Sequence, residues 1–243
     1  MKISIIIPAR YESSRFPGKP LVEISGEAMI KRVYNNCCSA FFEQDVYVAT
    51  DSETIEDYCK NNNMNVIMTS SDCLTGTDRV YEASEKLDVD LVVNVQGDLP
   101  LIYGGSIRKI INSALKKPNI IHYGMNSISK EEDFRSFSVV KVVTDMSSKL
   151  LYASRSPIPI TKKNVFKGAK KTASVFVLPK ETLWDFAHQE NKTPLESIED
   201  VEILRFLELG YKVQMVEIED LSISVDTPED LDRVEHILKN RKK

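Results

Sequence analysis

Short apolar runs rich in β-branched residues alternate with longer segments of helical period through the first half of this 243-residue chain. Each run is about as long as one strand, and this alternation is typical of parallel strands joined by crossover helices. The predicted strands are residues 3–7, 46–49, 65–68 and 91–95, and the predicted helices are residues 28–39, 53–61, 77–86 and 106–116. The pattern predicts an α/β fold with a mostly parallel sheet flanked by helices.

After Lys117 the pattern changes. Strands are predicted at 120–126, 137–143 and 150–153, followed by a polar, basic stretch at 161–171. Strands and helices then alternate again, with a strand at 174–178, helices at 181–188 and 195–209, a strand at 212–218 and a last helix from 228 toward 239. Because no linker or repeat divides the chain, we expect a single domain over residues 1–243 with an inserted, smaller antiparallel subregion at about 120–178.

Composition excludes several classes of protein. The formal charge of −4 argues against a general nucleic-acid binder, so any basic site must be local. No apolar run reaches the ~20 residues needed to span a bilayer, and the apolar start is too short for a signal peptide. The four cysteines lack the spacing of a metal site, and reduced, partly buried thiols are expected. These features together predict a cytoplasmic enzyme.

The loop after the first strand, residues 8–20, carries three cations, namely Arg10, Arg15 and Lys19. Ligands of parallel sheets bind beyond the carboxyl ends of the strands, which is where this loop begins. Guanidinium and ammonium groups suit the oxygens of a triphosphate. The loop has neither the glycines of a dinucleotide-binding turn nor the flanking residues of a P-loop. The alternative is a solvated basic turn.

Two carboxylates occupy comparable positions. Asp98 follows the predicted strand 91–95, and Asp226 lies between an extended segment and the last helix. One or two protein carboxylates are typical of a Mg²⁺ site that is completed by water and phosphate oxygens. For Asp226 the alternative is helix capping by Asp226 or Thr227, with Pro228 in the first turn.

Eight segments, spread in order over nearly the whole chain, match the motifs of one family: residues 6–10, 17–21, 48–51, 75–79, 94–98, 154–159, 193–196 and 225–231. With these segments the chain resembles the 3-deoxy-manno-octulosonate (Kdo) cytidylyltransferases, or CMP-Kdo synthetases. The resemblance implies the Rossmann-like fold of nucleotide-diphospho-sugar transferases, dependence on Mg²⁺ and a homodimer. It also implies transfer of CMP from CTP to the anomeric hydroxyl of a 3-deoxy-2-ulosonic acid, with release of pyrophosphate.

The resemblance also implies roles for individual residues. The nucleotide-binding set is Ala9, Arg10, Ser13, Arg15, Lys19, Thr75, Gly76 and Gln96. The catalytic set is Arg10, Lys19, Asp98 and Asp226, of which Asp98 and Asp226 hold the metal. The acceptor-binding set is Arg79, Gln96, Arg155 and Glu202.

Several of these residues have simpler interpretations. The segment 75–79 is also a typical helix start, and Gln96 a solvated strand end. Arg155 has the alternative of a surface ion pair. Glu202 has the alternative of an i,i+3 pair with Arg205.

The chain departs from the family at three places on the acceptor side. Leu99 replaces the Glu of the usual Q-G-D-E-P, and Cys73 replaces a His before the loop at 75–79. Residues 172–178 replace H-x-G-I-Y-x-Y, so that Thr172 stands for a sugar-contacting His and Phe176 or Leu178 for a Tyr. We therefore expect the acceptor to be Kdo or a variant such as an amino-Kdo. A nonulosonic or non-sugar acid, or a catalytically silent nucleotide-binding protein, are the alternatives.

Overall fold

The computed structural model of the chain describes residues 1–12, 16–219 and 223–241. The strands, in chain order, are β1 (Ile3–Pro8), β2 (Glu23–Ile24), β3 (Glu27–Ala28), β4 (Val46–Thr50), β5 (Val66–Met68), β6 (Leu91–Val95), β7 (Ile121–Ile128), β8 (Lys141–Thr144), β9 (Leu150–Ser154), β10 (Ala169–Pro179) and β11 (Val213–Glu217). The helices are α1 (Met29–Ala40), α2 (Glu53–Asn61), α3 (Gly76–Ser84), α4 (Gly104–Lys116), α5 (Glu131–Arg135), α6 (Lys180–Ala187), α7 (Pro194–Glu199), α8 (Ile203–Glu208) and α9 (Pro228–Arg241).

The main sheet has the strand order β11-β7-β10-β6-β1-β4-β5 across the described residues. All of these strands run in the same direction except β10, which is antiparallel to both of its neighbours, β6 and β7. β8 pairs with one end of β10, and β9 pairs with β8. The predicted mostly parallel α/β sheet with a smaller antiparallel part is therefore confirmed. That residues 120–178 form an inserted dimerisation unit stays a prediction.

Each face of the sheet buries its own apolar cluster. Along β1, Ile5 and Ile7 point into a cluster shared with α1, α2 and α4, whereas Ile6 points into the opposite cluster with α3, α6 and α8. Successive strand residues face opposite sides of a sheet, so a strand covered on both faces is apolar at most positions. This is why β1 and β6, at the centre of the sheet, are apolar runs interrupted only by the buried Ser4 and Asn94.

A third apolar cluster lies at one end of the sheet and fixes the position of the last helix. Ile24 of the β2–β3 hairpin, Leu101 and Val225 pack there with Val234 of α9. The backbone amide of Val225 also donates to the carbonyl of Asp98 at 3.0 Å. This contact anchors the segment that carries Asp226 beside the end of β6, although Val225 and Asp98 are 127 positions apart in the sequence.

Two sequence predictions in the second half are wrong. The single helix predicted at 195–209 is two helices, α7 and α8, because Asp200 adopts a left-handed conformation with φ of 50° that ends α7. The strand predicted at 137–143 begins only at Lys141. The carbonyls of Ser136 and Val139 accept hydrogen bonds from the buried Lys141 ammonium and do not join the sheet. Among the described helices, none is both long and apolar enough to cross a membrane.

Candidate active site

The carboxyl ends of β1 and β6 meet at a cleft of about 300 Å³. Gly97, just after β6, approaches the end of β1 so closely that a Cβ atom built on it would lie 2.7 Å from the carbonyl oxygen of Pro8. Only glycine permits that backbone approach. The close contact brings the loop after β1 and Asp98 after β6 to the same edge, as the sequence predicts for parallel strands.

Lys19 lies between the two predicted metal ligands. Its Nζ donates to Asp98 at 2.9 Å and to Asp226 at 3.2 Å, and all three side chains line the cleft while remaining largely shielded from solvent. Burial opposes the charge of Lys19, yet the two carboxylates more than compensate and raise its pKa above the usual lysine value. The turn that presents Lys19 starts at Gly18, whose φ of 70° suits glycine.

Asp226 does not serve as the cap of α9. Thr227 and Asp230 do this instead: the amide of Asp230 donates to the Thr227 hydroxyl, and the amides of Asp226 and Thr227 donate to the Asp230 carboxylate. This reciprocal pattern satisfies the amides at the start of the helix. The carboxylate of Asp226 is thus directed toward Lys19 and the cleft, as expected of a ligand-binding residue.

The loop after β1 contributes two further predicted residues to the cleft. Ala9 is buried there, and its amide donates to the carbonyl of Ala49 at 2.8 Å. Arg10 is solvent-exposed and lines the same cleft. The predictions for Ser13 and Arg15 fall outside the described residues.

The start of α3 forms the opposite wall. Thr75 is its N-cap, accepting from the amide of Asp78, and Gly76 lies so close to Gln96 that a Cβ would sit 3.2 Å from Oε1. Both Thr75 and Gly76 line the cleft, as does Gln96. The helix-start interpretation of this segment is therefore correct, and because Thr75 and Gly76 also line the cleft, their role in ligand binding stays a prediction.

Arg79, predicted to bind the acceptor, lines the cleft but is already engaged. Its guanidinium pairs with Asp51 at 2.9 Å and donates to the Thr69 hydroxyl at 2.5 Å. The side chain is almost entirely buried. This geometry holds the cation rigidly beside the wall formed by α3.

Glu202, also predicted to bind the acceptor, lines the cleft and contacts α3 across it. Its carboxylate accepts from the amides of Gly76 and Thr77, each at 3.2 Å, and from the Thr77 hydroxyl. Burial raises the pKa of Glu202, and these hydrogen bonds partly offset the rise. The alternative of an i,i+3 pair with Arg205 is wrong, because Arg205 pairs with Glu196 and Asp78.

Arg155 is not brought to the cleft. Its guanidinium donates to the carbonyls of Glu199, Phe137 and Asp200, at 2.6, 3.0 and 2.9 Å respectively. These contacts hold the end of α7 against the β8–β9 hairpin region. The simple ion-pair interpretation is closer to what the structure shows, with Asp200 at 3.7 Å as the partner.

The three departures from the family motifs are not equivalent in space. Leu99 is buried in the apolar cluster that also holds α1 and α4, and Phe176 is buried with its ring stacked on Tyr123 at 4.0 Å. Neither these residues nor Thr172 line the cleft, whereas Cys73 does. The Leu99 side chain points into the core and does not itself line the cleft, and that the loss of the family's Glu at this position changes the acceptor pocket or weakens the site stays a prediction.

Sequence reasoning missed several cleft residues on the α7–α8 side, namely Lys192, Glu196, Asp200 and Val201. Lys192 and Asp200 form an ion pair at 2.7 Å, and Glu196 is buried. The sequence identifies the segment 193–196 only as a family motif. The polar residues on either side of it, Lys192 and Ser197, are the only sign that it lies near the surface. Its approach to α3 comes from long-range packing, which no local sequence pattern shows.

The donor set at Asp98 and Asp226 fits a Mg²⁺ ion. Because both carboxylates contact one ammonium nitrogen, they converge on a single point of the cleft. Within the described residues no three or more His, Cys, Asp or Glu side chains converge as a metal-binding group. A pair of carboxylates is what Mg²⁺ uses when substrate phosphates and water complete its coordination.

The chain is similar to proteins of known activity over nearly all of its length. Residues 4–220 match the family model described as cytidylyltransferase. The 3-deoxy-manno-octulosonate cytidylyltransferase of Geotalea daltonii is 42% identical, with 99% of this chain and 100% of the relative covered. The enzyme of the same name from Flavobacterium johnsoniae is 38% identical, with 99% and 100% covered.

Solved structures show the same likeness. A CMP:2-keto-3-deoxy-manno-octonic acid synthetase complexed with CTP superposes with a TM-score of 0.89 at 32% identity, covering 99% of this chain and all of the other. HddC from Yersinia pseudotuberculosis, complexed with GMP-PN, superposes with a TM-score of 0.72 at 15% identity, covering 98% of this chain and all of the other. The second likeness is one of fold alone.

Proposed function

The chain belongs to the Kdo cytidylyltransferase family and is a nucleotidyltransferase, and from that premise we propose that it transfers CMP from CTP to Kdo in a Mg²⁺-dependent reaction that releases pyrophosphate. The observation that carries the proposal is the contact of Lys19 with both Asp98 and Asp226 at the strand edge that also presents Arg10. This arrangement provides a cation for phosphate oxygens beside two carboxylates for a metal.

The donor is held by residues of the β1 loop and of α3. Lys19 and Arg10 neutralise the triphosphate. Thr75 and Gly76, at the start of α3, meet the nucleotide from the other side of the cleft, where Glu202 already accepts from the amide of Gly76. We include Ala9, Ser13, Arg15 and Gln96 in this nucleotide-binding set. The cations stabilise the negative charge that develops on the departing pyrophosphate.

The acceptor hydroxyl attacks the α-phosphorus in line with the bond to the leaving pyrophosphate. A new P–O bond forms to the acceptor, the bond to pyrophosphate breaks, and the hydroxyl proton is lost to solvent. Asp98 and Asp226 would hold Mg²⁺, which lowers the pKa of a hydroxyl and stabilises the charge of the transition state. Gln96, Arg79 and Glu202 line the cleft, and we assign them to the acceptor. Arg155 is not included in this set, because the carbonyls of Glu199, Phe137 and Asp200 hold its guanidinium outside the cleft.

We favour Kdo itself over a variant acceptor. Of the departures from the family motifs, only Cys73 is among the cleft residues that the structure describes, whereas Leu99 and Phe176 are core residues. The curated relatives at about 40% identity carry the name of the Kdo enzyme. A changed acceptor would require changes in residues that touch it.

We also propose that the protein is a homodimer of the cytoplasm. Large apolar side chains are exposed in the antiparallel region, among them Phe137, Leu151 and Val165. Exposed apolar groups in one region are typical of an association surface. All four cysteines, which lie within the described residues, are free thiols, as suits a reducing compartment. Light scattering at several protein concentrations measures the oligomeric state directly.

The activity is tested by pyrophosphate release from CTP, ATP, GTP and UTP, each with Kdo and with a panel of other small acids. We expect release with CTP and Kdo only, abolished by EDTA and restored by Mg²⁺. Calorimetry of CTP binding accompanies the assay. Binding of CTP without turnover on any acid would establish the catalytically silent alternative, and turnover on another acid would replace Kdo.

A further inference from the structure

Arg205 of α8 is a fully buried cation that the proposed chemistry does not use. Its guanidinium makes a two-point contact with Glu196 of α7, with Nε to Oε2 at 2.5 Å and Nη2 to Oε1 at 2.7 Å. It also donates to the carbonyl of Phe186 at 3.0 Å and stacks over the ring of that residue, 3.7 Å from its centre. Arg205 does not itself line the cleft.

The remaining contact of Arg205 crosses to the other wall. Its Nη1 donates to Oδ1 of Asp78 in α3 at 3.1 Å. The second oxygen of Asp78 accepts from the hydroxyl of Thr75 at 2.7 Å, and the amide of Asp78 donates back to that hydroxyl. Arg205 is thereby connected through one carboxylate to the segment that presents Thr75 and Gly76 to the donor.

A second connection runs in parallel nearer the cleft. Glu202, one turn before Arg205, accepts from the amides of Gly76 and Thr77. Two connections therefore join the wall of Thr75 and Gly76 to the wall of Glu196 and Glu202. The inner one is the ionic contact of Arg205 with Asp78, and the outer one is the contact of Glu202 with the amides at the start of α3. The inner contact is nearly dry, since the side chains of Arg205 and Asp78 are 0% and 11% exposed.

We propose that Arg205 is a positioning residue that sets the separation of the donor wall and the acceptor wall through Asp78 and Glu196. The proposal rests on the function proposed above. It explains why the motifs at 75–79 and 193–196 occur together: Asp78 of the first and Glu196 of the second hold the same guanidinium. An arginine suits this position because its rigid fork binds two carboxylates at once, which an ammonium does not do with the same geometry.

The separation of the two walls affects both substrates. Thr75 and Gly76 face the nucleotide, while Glu196 and Glu202 line the acceptor side of the same cleft. A change in wall separation should therefore raise KM for CTP and for the acceptor together. A purely structural contact would lower the fraction of folded enzyme, and hence the apparent kcat, without moving either KM.

The test compares Asp78→Asn with wild type. The asparagine keeps the shape of Asp78 and leaves the contact of Arg205 with Glu196 in place, but it cannot accept at both of its terminal atoms. We expect KM for CTP and for Kdo each to rise about tenfold, with less change in kcat per titrated active site. The matched control is Glu27→Gln, which removes a half-buried carboxylate from its pair with Arg32 at 3.2 Å outside the cleft.

A second variant, Arg205→Lys, keeps the charge and loses the fork. We expect it to raise both KM values as Asp78→Asn does, and the double variant to be no worse than the more affected single variant, because both changes break one connection. Additive effects of the two changes on KM would overturn the proposal. So would a lower melting temperature for Asp78→Asn with both KM values unchanged. Absence of wild-type turnover would instead overturn the proposed function.

Discussion

The two walls of the cleft are built in different ways. The donor side, with Lys19, Asp98 and Asp226, is held by residues that directly follow strands or precede a helix, and its charged groups face the cleft. The acceptor side, formed by α7 and α8, is held by Arg155 and Arg205. The guanidinium of Arg155 binds backbone carbonyls, and that of Arg205 binds buried carboxylates. Charged residues on the first side are poised for ligands, whereas on the second they fix the protein to itself.

This difference determines which substitutions should affect chemistry and which should affect stability. Removing a donor-side charge leaves the core intact and removes a group that we propose meets the substrate. Removing Arg155 leaves carbonyl groups without their donor, which costs folding free energy alone. Removing Arg205 leaves two carboxylates without their partner, and through Asp78 it should also raise both KM values.

The largest effect is expected for Asp98→Asn. The change removes one of two charges that converge on Lys19 while it retains the size of the side chain. We expect kcat/KM for CTP to fall by about 10²–10³, with an unfolding midpoint close to that of wild type. Pyrophosphate release at saturating Mg²⁺ measures the first quantity and thermal denaturation the second. Asp57→Asn, an exposed aspartate on α2, is the control.

Retention of near-normal activity by Asp98→Asn at ordinary Mg²⁺ concentrations would remove Asp98 from the metal site. A large loss of stability in the same variant would show that the donor side, too, is held together by its charges. Either result would end the contrast between the two walls.

Lys19→Met is expected to have two opposite effects. The ammonium neutralises Asp98 and Asp226 in the nucleotide-free protein, so its removal leaves two unbalanced carboxylates. We expect KM for CTP to rise about 10–100-fold, because a charge-assisted contact with phosphate is lost. Binding of Mn²⁺ to the nucleotide-free protein, followed by electron paramagnetic resonance, should become tighter.

The control for this variant is Lys31→Met, which removes a lysine bound to Asn62 at 2.9 Å on α1. Weaker Mn²⁺ binding by Lys19→Met than by wild type would contradict the placement of the metal between Asp98 and Asp226. An unchanged KM for CTP would contradict the role of Lys19 in holding phosphate.

The same contrast explains what the sequence predicted and what it did not. Asp98 and the loop that carries Lys19 follow apolar runs that predict parallel strands, so the topology brings both to one edge of the sheet. The contact of Arg205 with Asp78 joins residues that are 127 positions apart, and no local sequence pattern predicts such a contact. The break at Asp200 is hidden for the same reason, because the carbonyls of Glu199 and Asp200 turn outward to Arg155, a residue from a distant strand end.

Arg155→Gln distinguishes a structural role of Arg155 from a role in binding the acceptor. Glutamine cannot reach the carbonyls of Glu199, Phe137 and Asp200 together, so the free energy of unfolding should fall by about 1–3 kcal/mol. KM for the acceptor should change by less than about threefold, because the side chain does not line the cleft. Urea unfolding and acceptor titration measure these quantities. A large rise in acceptor KM at unchanged stability would return Arg155 to the acceptor site.

The smallest effect is expected for Cys73→Ser, although Cys73 lines the cleft and departs from the family motif. Its thiol donates to Glu82 at 3.4 Å, and a serine hydroxyl can replace that donor. We expect KM for CTP to be unchanged and KM for the acceptor to shift by less than about threefold. Measurement of both values is sufficient, since a shift of tenfold or more for the acceptor alone would make Cys73 a determinant of acceptor choice.

The chemistry of the thiol gives an independent check of this placement. Burial and the neighbouring Glu82 raise the pKa of Cys73 to about 12, so only about 10⁻⁴ of it is thiolate at pH 8. Iodoacetamide should therefore modify Cys73 far more slowly than a free thiol at pH 8 and faster as the pH approaches 12. Rapid modification at pH 8 would mean that Cys73 is more solvated than its contact with Glu82 implies, and the acceptor side would then be more open than the donor side.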